Sequence, residues 1–184
     1  ELLTALLGHE VGGRTILDIG CGTGHFHHRL LQEGAASVVG VELSAPYLEK
    51  AGDLARALGH EDRVTYHEGD FLQLADRIEP ADITILDKVI HCSHDPERLV
   101  RESAGHTRDI LAITFPRDHW KIRWIIRLVG PLSRPFLPFR VCFSRPEAVR
   151  TWLGEEGFEQ LAHSESGMWH SEVYARRTER RRQA

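Results

Sequence analysis

The run Thr15-Ile16-Leu17-Asp18-Ile19-Gly20-Cys21-Gly22-Thr23-Gly24 constrains the fold more than any other part of the chain. Its first half is a short apolar stretch interrupted by one acid, the pattern of a buried strand. Three glycines at alternate positions then let the backbone turn tightly and approach a ligand without side chains in the way. Phe26, Leu30 and Leu31 follow at helical spacing up to a stop at Gly34. Strand, glycine turn and helix in that order open a βαβ unit, whose strands pair in parallel.

The rest of the chain repeats the alternation. Further strands are expected at residues 37–42, 63–67, 83–86 and 110–115. Helices are expected at 1–8, at 45–58 behind an N-capping Ser44 with Pro46 in the first turn, and at 97–104 after Asp95-Pro96. Ser144-Arg145-Pro146-Glu147 reads as a capping box that opens a helix ending before Gly157. Two last strands, 158–165 and 168–175, meet at Ser166-Gly167 as a hairpin. The fold class expected is α/β: a doubly wound, mainly parallel seven-stranded sheet with an antiparallel C-terminal strand and helices on both faces. Residues 1–184 read as one domain, with a lid-like insertion at about 117–143 and a basic tail at 176–184.

Composition narrows the function classes. A net charge of −4 and a pI near 6.3 give no global reason for nucleic acid or a membrane surface as partner. No apolar run is long enough to span a bilayer, so stable membrane insertion is not expected. Three cysteines without paired spacing suit a reducing, cytoplasmic setting. Among 12 histidines, the pairs His27-His28 and His91/His94 match no metal-ligand spacing, and no metal is expected. The chain starts at Glu1 inside a helical pattern, which suggests a trimmed N-terminus.

In doubly wound sheets ligands sit beyond the carboxyl ends of the strands, where strand order reverses. Four loops carry suitable groups there. Asp18 can accept from a cationic or amide-bearing ligand part beside the Gly20, Cys21, Gly22 and Gly24 turn. Glu42 ends the second strand, where a carboxylate can take both hydroxyls of a ribose. Asp70 follows the third strand and can accept from an exocyclic amine. Asp87-Lys88-Val89-Ile90-His91 follows the fourth and faces the same crevice.

Residues 16–24 resemble motif I of the class I S-adenosylmethionine (SAM)-dependent methyltransferases. Glu42-Leu43-Ser44 resembles their acidic motif, and Glu68-Gly69-Asp70-Phe71 their adenine-side motif. The resemblance implies SAM as cofactor, with Asp18, Gly20, Gly22 and Gly24 at its amino-acid part. It further implies Glu42 at the ribose and Asp70 at the adenine amine, with Cys21, Leu43, Phe71 and Asp87 among the cofactor-binding residues. A narrower stretch, residues 86–91 with Ile113-Thr114-Phe115-Pro116, is similar to the magnesium-protoporphyrin IX methyltransferase branch. That likeness makes His91 a catalytic candidate and a tetrapyrrole a candidate acceptor. Cys92-Ser93 departs from the tyrosine-proline of that branch.

The insertion carries the substrate signal. Trp120, Trp124 and Leu128 share one helical stripe, with Arg123 and Arg127 beside it. Two readings stay open: a lid buried against the sheet end, or tryptophan faces and guanidiniums presented to a flat or carboxylate-bearing substrate. The activity expected is methyl transfer from SAM to a carboxylate or hydroxyl oxygen of a small molecule, with His91 as base for a hydroxyl. An NAD(P)-dependent oxidoreductase is the first alternative, because a glycine loop and a strand-end acid serve both. Against it stand the GxGxG spacing and the lack of a Tyr-x-x-x-Lys pair. A non-catalytic SAM-binding protein on the same fold is the second.

Overall fold

A computed structural model describes residues 11–116 and 145–177, together with the buried helical residues Leu2 and Leu6. The elements alternate as expected: β1 (Thr15–Ile19), α1 (His25–Gln32), β2 (Ser37–Glu42), α2 (Ala45–Leu58), β3 (Val64–Glu68), α3 (Phe71–Leu74), β4 (Ala81–Asp87), α4 (Pro96–Gly105), β5 (Thr107–Pro116), α5 (Pro146–Glu155), β6 (Phe158–Ser166) and β7 (Trp169–Arg176). They form one seven-stranded sheet in the order β3-β2-β1-β4-β5-β7-β6. The first five strands pair in parallel, and β7 lies antiparallel between β5 and β6. Strand order therefore reverses between β1 and β4, which opens a crevice beyond their carboxyl ends.

The two-residue period of a strand explains why both faces are dry. Leu17 and Ile19 of β1 join Leu86, Leu111, Ile113 and Phe115 in a core closed by Leu99, Val149 and Leu153 of α4 and α5. Ile16, one position over, joins Ile83, Ile85 and Ala112 against Leu30, Leu31, Leu2 and Leu6. Asp18 shares the face of Ile16, under α1, and is 2% exposed. A carboxylate at that depth needs donors, and α1 supplies one.

A second buried carboxylate ties α5 to the sheet. Glu172 of β7 has no exposed surface. It accepts from the Arg150 guanidinium of α5, from His170 Nε2 at 2.7 Å and from the Tyr174 hydroxyl. Burial, with the Glu172 charge beside it, pushes the Tyr174 hydroxyl's pKa up.

Of two helix starts marked by capping signals, one matches the sequence reading and one differs. Asp95 caps α4 as expected, accepting from Arg98 N at 3.0 Å. The N-cap of α5 is Arg145, one residue after the expected Ser144, and it makes no side-chain cap bond. Pro146, whose fixed φ suits the first helical position and whose ring has no N–H to satisfy, sets the boundary. Ser144 itself lies outside the described residues.

Arg176, counted with the basic tail from sequence, is the last residue of β7. Its guanidinium donates to Ala104 O at 2.6 Å and to Thr107 O at 2.8 Å, tying the end of α4 to the start of β5. It also lies over the Phe158 ring at 4.6 Å. Removing it with Arg176→Ala is expected to lower unfolding free energy by about 1–3 kcal/mol. The exposed neighbour Arg177→Ala should stay within about 0.5 kcal/mol. Urea midpoints of the two variants check this, and equal midpoints would contradict it.

Candidate active site

The loop after β1 is built around one carbonyl. Val41 O accepts from Gly20 N at 2.7 Å and from Cys21 N at 3.1 Å, which turns the chain across the end of β2. The turn brings Gly22 N to Glu42 Oε2 at 3.0 Å, while Ser44 N donates to Oε1 at 2.9 Å. Glu42 is thus held at the loop by two backbone amides, and each oxygen retains a lone pair for a further donor. Ser44 precedes α2 as the expected N-cap, but its side chain makes no cap bond.

Gly20 and Gly24 are required by what lies against them. A Cβ at Gly20 would meet Val89 Cγ2 at 2.3 Å, across the crevice between β1 and β4, at a φ of +70°. A Cβ at Gly24 would meet His27 Nε2 at 2.8 Å at a φ of +82°. Gly22 faces open space instead, so the outer side of the loop is free to receive a ligand.

The other expected residues separate into accessible and buried ones. Leu43 is 71% exposed beside Glu42, an apolar side chain without packing. Asp70 caps α3 by accepting from Leu72 N at 3.0 Å, at the same edge of the sheet. Phe71 lies in the core, edge-on to His106 at 5.3 Å, so only its backbone is placed to meet a ligand. Cys21 is buried, and burial with Asp18 and Glu42 nearby pushes its thiol pKa far up, which makes it a poor nucleophile. Asp18 is engaged from below, its Oδ2 2.8 Å from His27 Nδ1.

Beyond the ends of β4 and β5 lies a cavity of about 300 Å³, walled by Leu2, Phe26, Asp87, Lys88, Thr114, Ser166, Trp169 and Ser171. Lys88 has a φ of +60°, an uncommon conformation for a side-chain-bearing residue. Its Nζ lies 3.6 Å from Asp87 Oδ2 and 5.3 Å from the Trp169 ring centre. His91 is not on the cavity wall but touches it through Trp169, ring centres 5.6 Å apart. Its Nδ1 is buried and has no hydrogen-bond partner among the described residues, and burial lowers its pKa. Trp120, Arg123, Trp124 and Arg127 lie outside the described residues.

Sequence reasoning placed Lys88 at the crevice without giving it a role, and it did not pick out Thr114, Trp169 and Ser171 as cavity-wall residues. Ser171 Oγ lies 3.2 Å from Thr114 Oγ1 because β7 pairs antiparallel with β5. That pairing returns the start of β7 to the ligand-binding end of the sheet. The hairpin was legible, but which strand it would join was not.

Two measurements test the loop. Gly20→Ala adds a steric clash and a left-handed strain together worth about 2–4 kcal/mol. Adding Val89→Ala should recover the clash and leave the strain, so chemical denaturation of both variants should show non-additive losses. Burial, with His27 nearby, holds the buried His28 down at about 4 from an ordinary 6.5. The unfolded chain therefore takes up this proton first as pH falls, and the stability is present above 6.5 and lost toward 4. Going from about pH 7 to about pH 5 should remove about 2 kcal/mol, and His28→Gln should flatten that slope.

The sequence and the fold match known proteins. Residues 16–109, just over half of the chain, match the methyltransferase domain family. The magnesium protoporphyrin IX methyltransferase (ChlM) of Synechocystis PCC 6803, solved with SAH bound, superposes with a TM-score of 0.79 at 20% identity, over 96% of this chain and 80% of that one. Methyltransferase GfsG of Streptomyces halstedii is 34% identical over 105 residues, 56% of this chain and 36% of the relative. A tRNA U34 carboxymethyltransferase of Photobacterium profundum is 41% identical over 51 residues, 28% of this chain and 16% of the relative. The chain thus spans about a third or less of these two curated relatives. The family match covers the glycine loop and the three acid-bearing strand ends described above, and it displaces the oxidoreductase alternative: the chain belongs to the methyltransferase domain family, of the class I SAM-dependent type.

Proposed function

We propose that the chain transfers a methyl group from SAM to an oxygen of a small-molecule acceptor, a carboxylate before a hydroxyl. The observation that carries this reading is the cavity at the ends of β4 and β5, where Lys88 and Trp169 offer a cation and a flat ring on one wall. An anionic, partly planar acceptor matches both.

The loop suits the cofactor chemically. Glu42 has acceptor capacity for a ribose diol, Asp18 and Asp87 are carboxylates for an ammonium, and Leu43 offers an exposed apolar surface for an adenine. Bound there, SAM supplies a methyl on a sulfonium that needs no further activation. The residues of the chain then have only to hold, orient and exclude water. Lys88 fixes an acceptor carboxylate, which is already ionised at neutral pH and requires no base. The oxygens of Thr114 and Ser171 line the same cavity and can orient it.

A hydroxyl acceptor needs a base, and the unpartnered Nδ1 and lowered pKa of His91 favour that residue. The cavity walls described here lie at the small end of ligand pockets. That favours a small acceptor, and the tetrapyrrole reading rests on the motif likeness alone. Net charge argues against nucleic acid as acceptor, although the name of one relative states a tRNA substrate. Among the described residues no helix is long and apolar enough to cross a membrane.

Calorimetry with SAM, NAD and NADP should show micromolar binding of SAM alone, weakened at least about tenfold in Glu42→Ala. An acceptor screen following SAH release should then yield turnover with aromatic carboxylates, reduced in Lys88→Met. His91→Gln should slow a hydroxyl acceptor by about 100-fold and leave a carboxylate acceptor unaffected. SAM binding without turnover on any acceptor class would favour a non-catalytic binding protein.

A further inference from the structure

Beneath the glycine loop runs a chain of polar side chains of which the methyl-transfer reading uses only Asp18. His27 Nδ1 lies 2.8 Å from Asp18 Oδ2, and His27 Nε2 lies 3.0 Å from the Tyr66 hydroxyl. The same hydroxyl lies 3.3 Å from His28 Nε2, and His28 Nδ1 lies 3.1 Å from His60 Nδ1. Asp18, His27, His28 and His60 are all buried, at 2%, 0%, 2% and 6% exposure.

One assignment of protons satisfies these four links with neutral rings, the Tyr66 hydroxyl giving its proton to His27 Nε2 at 3.0 Å rather than to Ala51 O at 3.4 Å. His60 Nδ1–H donates to His28 Nδ1, and His28 Nε2–H donates to the Tyr66 oxygen. Tyr66 O–H donates to His27 Nε2, and His27 Nδ1–H donates to Asp18 Oδ2. Every donor then points toward Asp18, so each bond polarises the next in the direction of the carboxylate. Burial holds both His28 and His60 below the ordinary imidazole value, in accord with uncharged rings.

The space for this chain is provided by two glycines. Gly40 pairs with Tyr66 across β2 and β3, and a Cβ there would meet the Tyr66 ring at 2.8 Å. The missing side chain lets the tyrosine lie across β2 toward α1. A Cβ at Gly24 would strike His27 Nε2, the atom that Tyr66 reaches. Asp18 Oδ1 has no hydrogen-bond partner among the described residues, whereas Oδ2 is committed to His27.

We propose that His27, backed by Tyr66, His28 and His60, is a positioning residue that fixes the Asp18 carboxylate so that Oδ1 receives the ammonium of the cofactor's amino-acid part. The inference rests on the cofactor reading given above. Without the His27 bond, Asp18 would be a buried carboxylate able to swing, and its hold on an ammonium would weaken. The contribution is confined to the amino-acid end, because Glu42, Leu43 and Asp70 serve the nucleoside end independently.

Two probes separate positioning from a general structural role. S-adenosylhomocysteine carries the ammonium, and 5′-methylthioadenosine keeps the nucleoside but lacks the amino acid. For His27→Leu, calorimetry should show S-adenosylhomocysteine affinity down about tenfold and methylthioadenosine affinity unchanged. His27→Asn, which keeps a donor near the Nδ1 position, should restore binding to within about threefold. Tyr66→Phe keeps the ring and loses only the hydroxyl. It decides the matter if His27→Leu does not fold, with an expected loss of about threefold for S-adenosylhomocysteine alone. Equal losses for both ligands, or none for either, overturn the positioning role and leave the cofactor reading standing. Wild-type protein that binds neither ligand overturns the cofactor reading, and the positioning role with it.

Discussion

The carbonyl of Val41 accepts from two successive amides, and the architecture of the ligand-binding edge follows from that. A strand that continued straight past Ile19 would carry Gly20 beyond the sheet. Captured by the end of β2, the backbone turns instead, and the next amide it presents meets Glu42. The loop, the acid of β2 and the start of α1 thereby become one unit, held mostly by main-chain bonds that side-chain substitution does not remove. What limits substitution is space: Val89 fills the region next to Gly20 from the β4 side, so the two halves of the sheet meet at van der Waals contact where strand order reverses.

The two faces of the sheet treat charge differently from a plain apolar core. On the α1 face a carboxylate, three imidazoles and a phenol occupy volume that leucines and valines would ordinarily fill. On the opposite face Glu172 gathers Arg150, His170 and Tyr174. Buried polar groups of this kind contribute little net stability, because desolvation offsets most of what their bonds return. They are tolerated because each has at least one hydrogen-bond partner, and they define geometry more sharply than apolar packing does. One network lies directly under the glycine loop, and the other flanks Ser171 on the cavity wall.

Much of this was legible in the sequence. The strand, glycine turn and helix at residues 15–32 were marked by period and composition, and the other parallel strands followed from the same signals. Glu42 stands at a strand end directly after the apolar run of β2, and Asp70 follows the end of β3 across Gly69. The buried polar chain left a fainter trace: His27 and His28 share the inward stripe of α1 with Leu30 and Leu31, and Asp18 sits on the strand face that Ile16 buries. Histidines on an apolar helix face beside a strand acid are a pairing signal, but neither Tyr66 nor Gly40 can be linked to them without the β2–β3 register.

By itself, then, the sequence determined the alternation of elements, the parallel sheet and the glycine turn between β1 and α1. These depend on local spacing, on glycine and proline backbone preferences and on the two-residue period of strands. Only the tertiary structure decided that the final hairpin inserts β7 between β5 and β6, bringing Trp169 and Ser171 to Lys88 and Thr114. Only the fold could show that Phe71 belongs to the core, that His91 reaches the cavity through Trp169, and that His27, Tyr66, His28 and His60 line up under Asp18. Those outcomes depend on strand order and register, which are set by packing energies summed over the whole sheet rather than by any one segment of the chain.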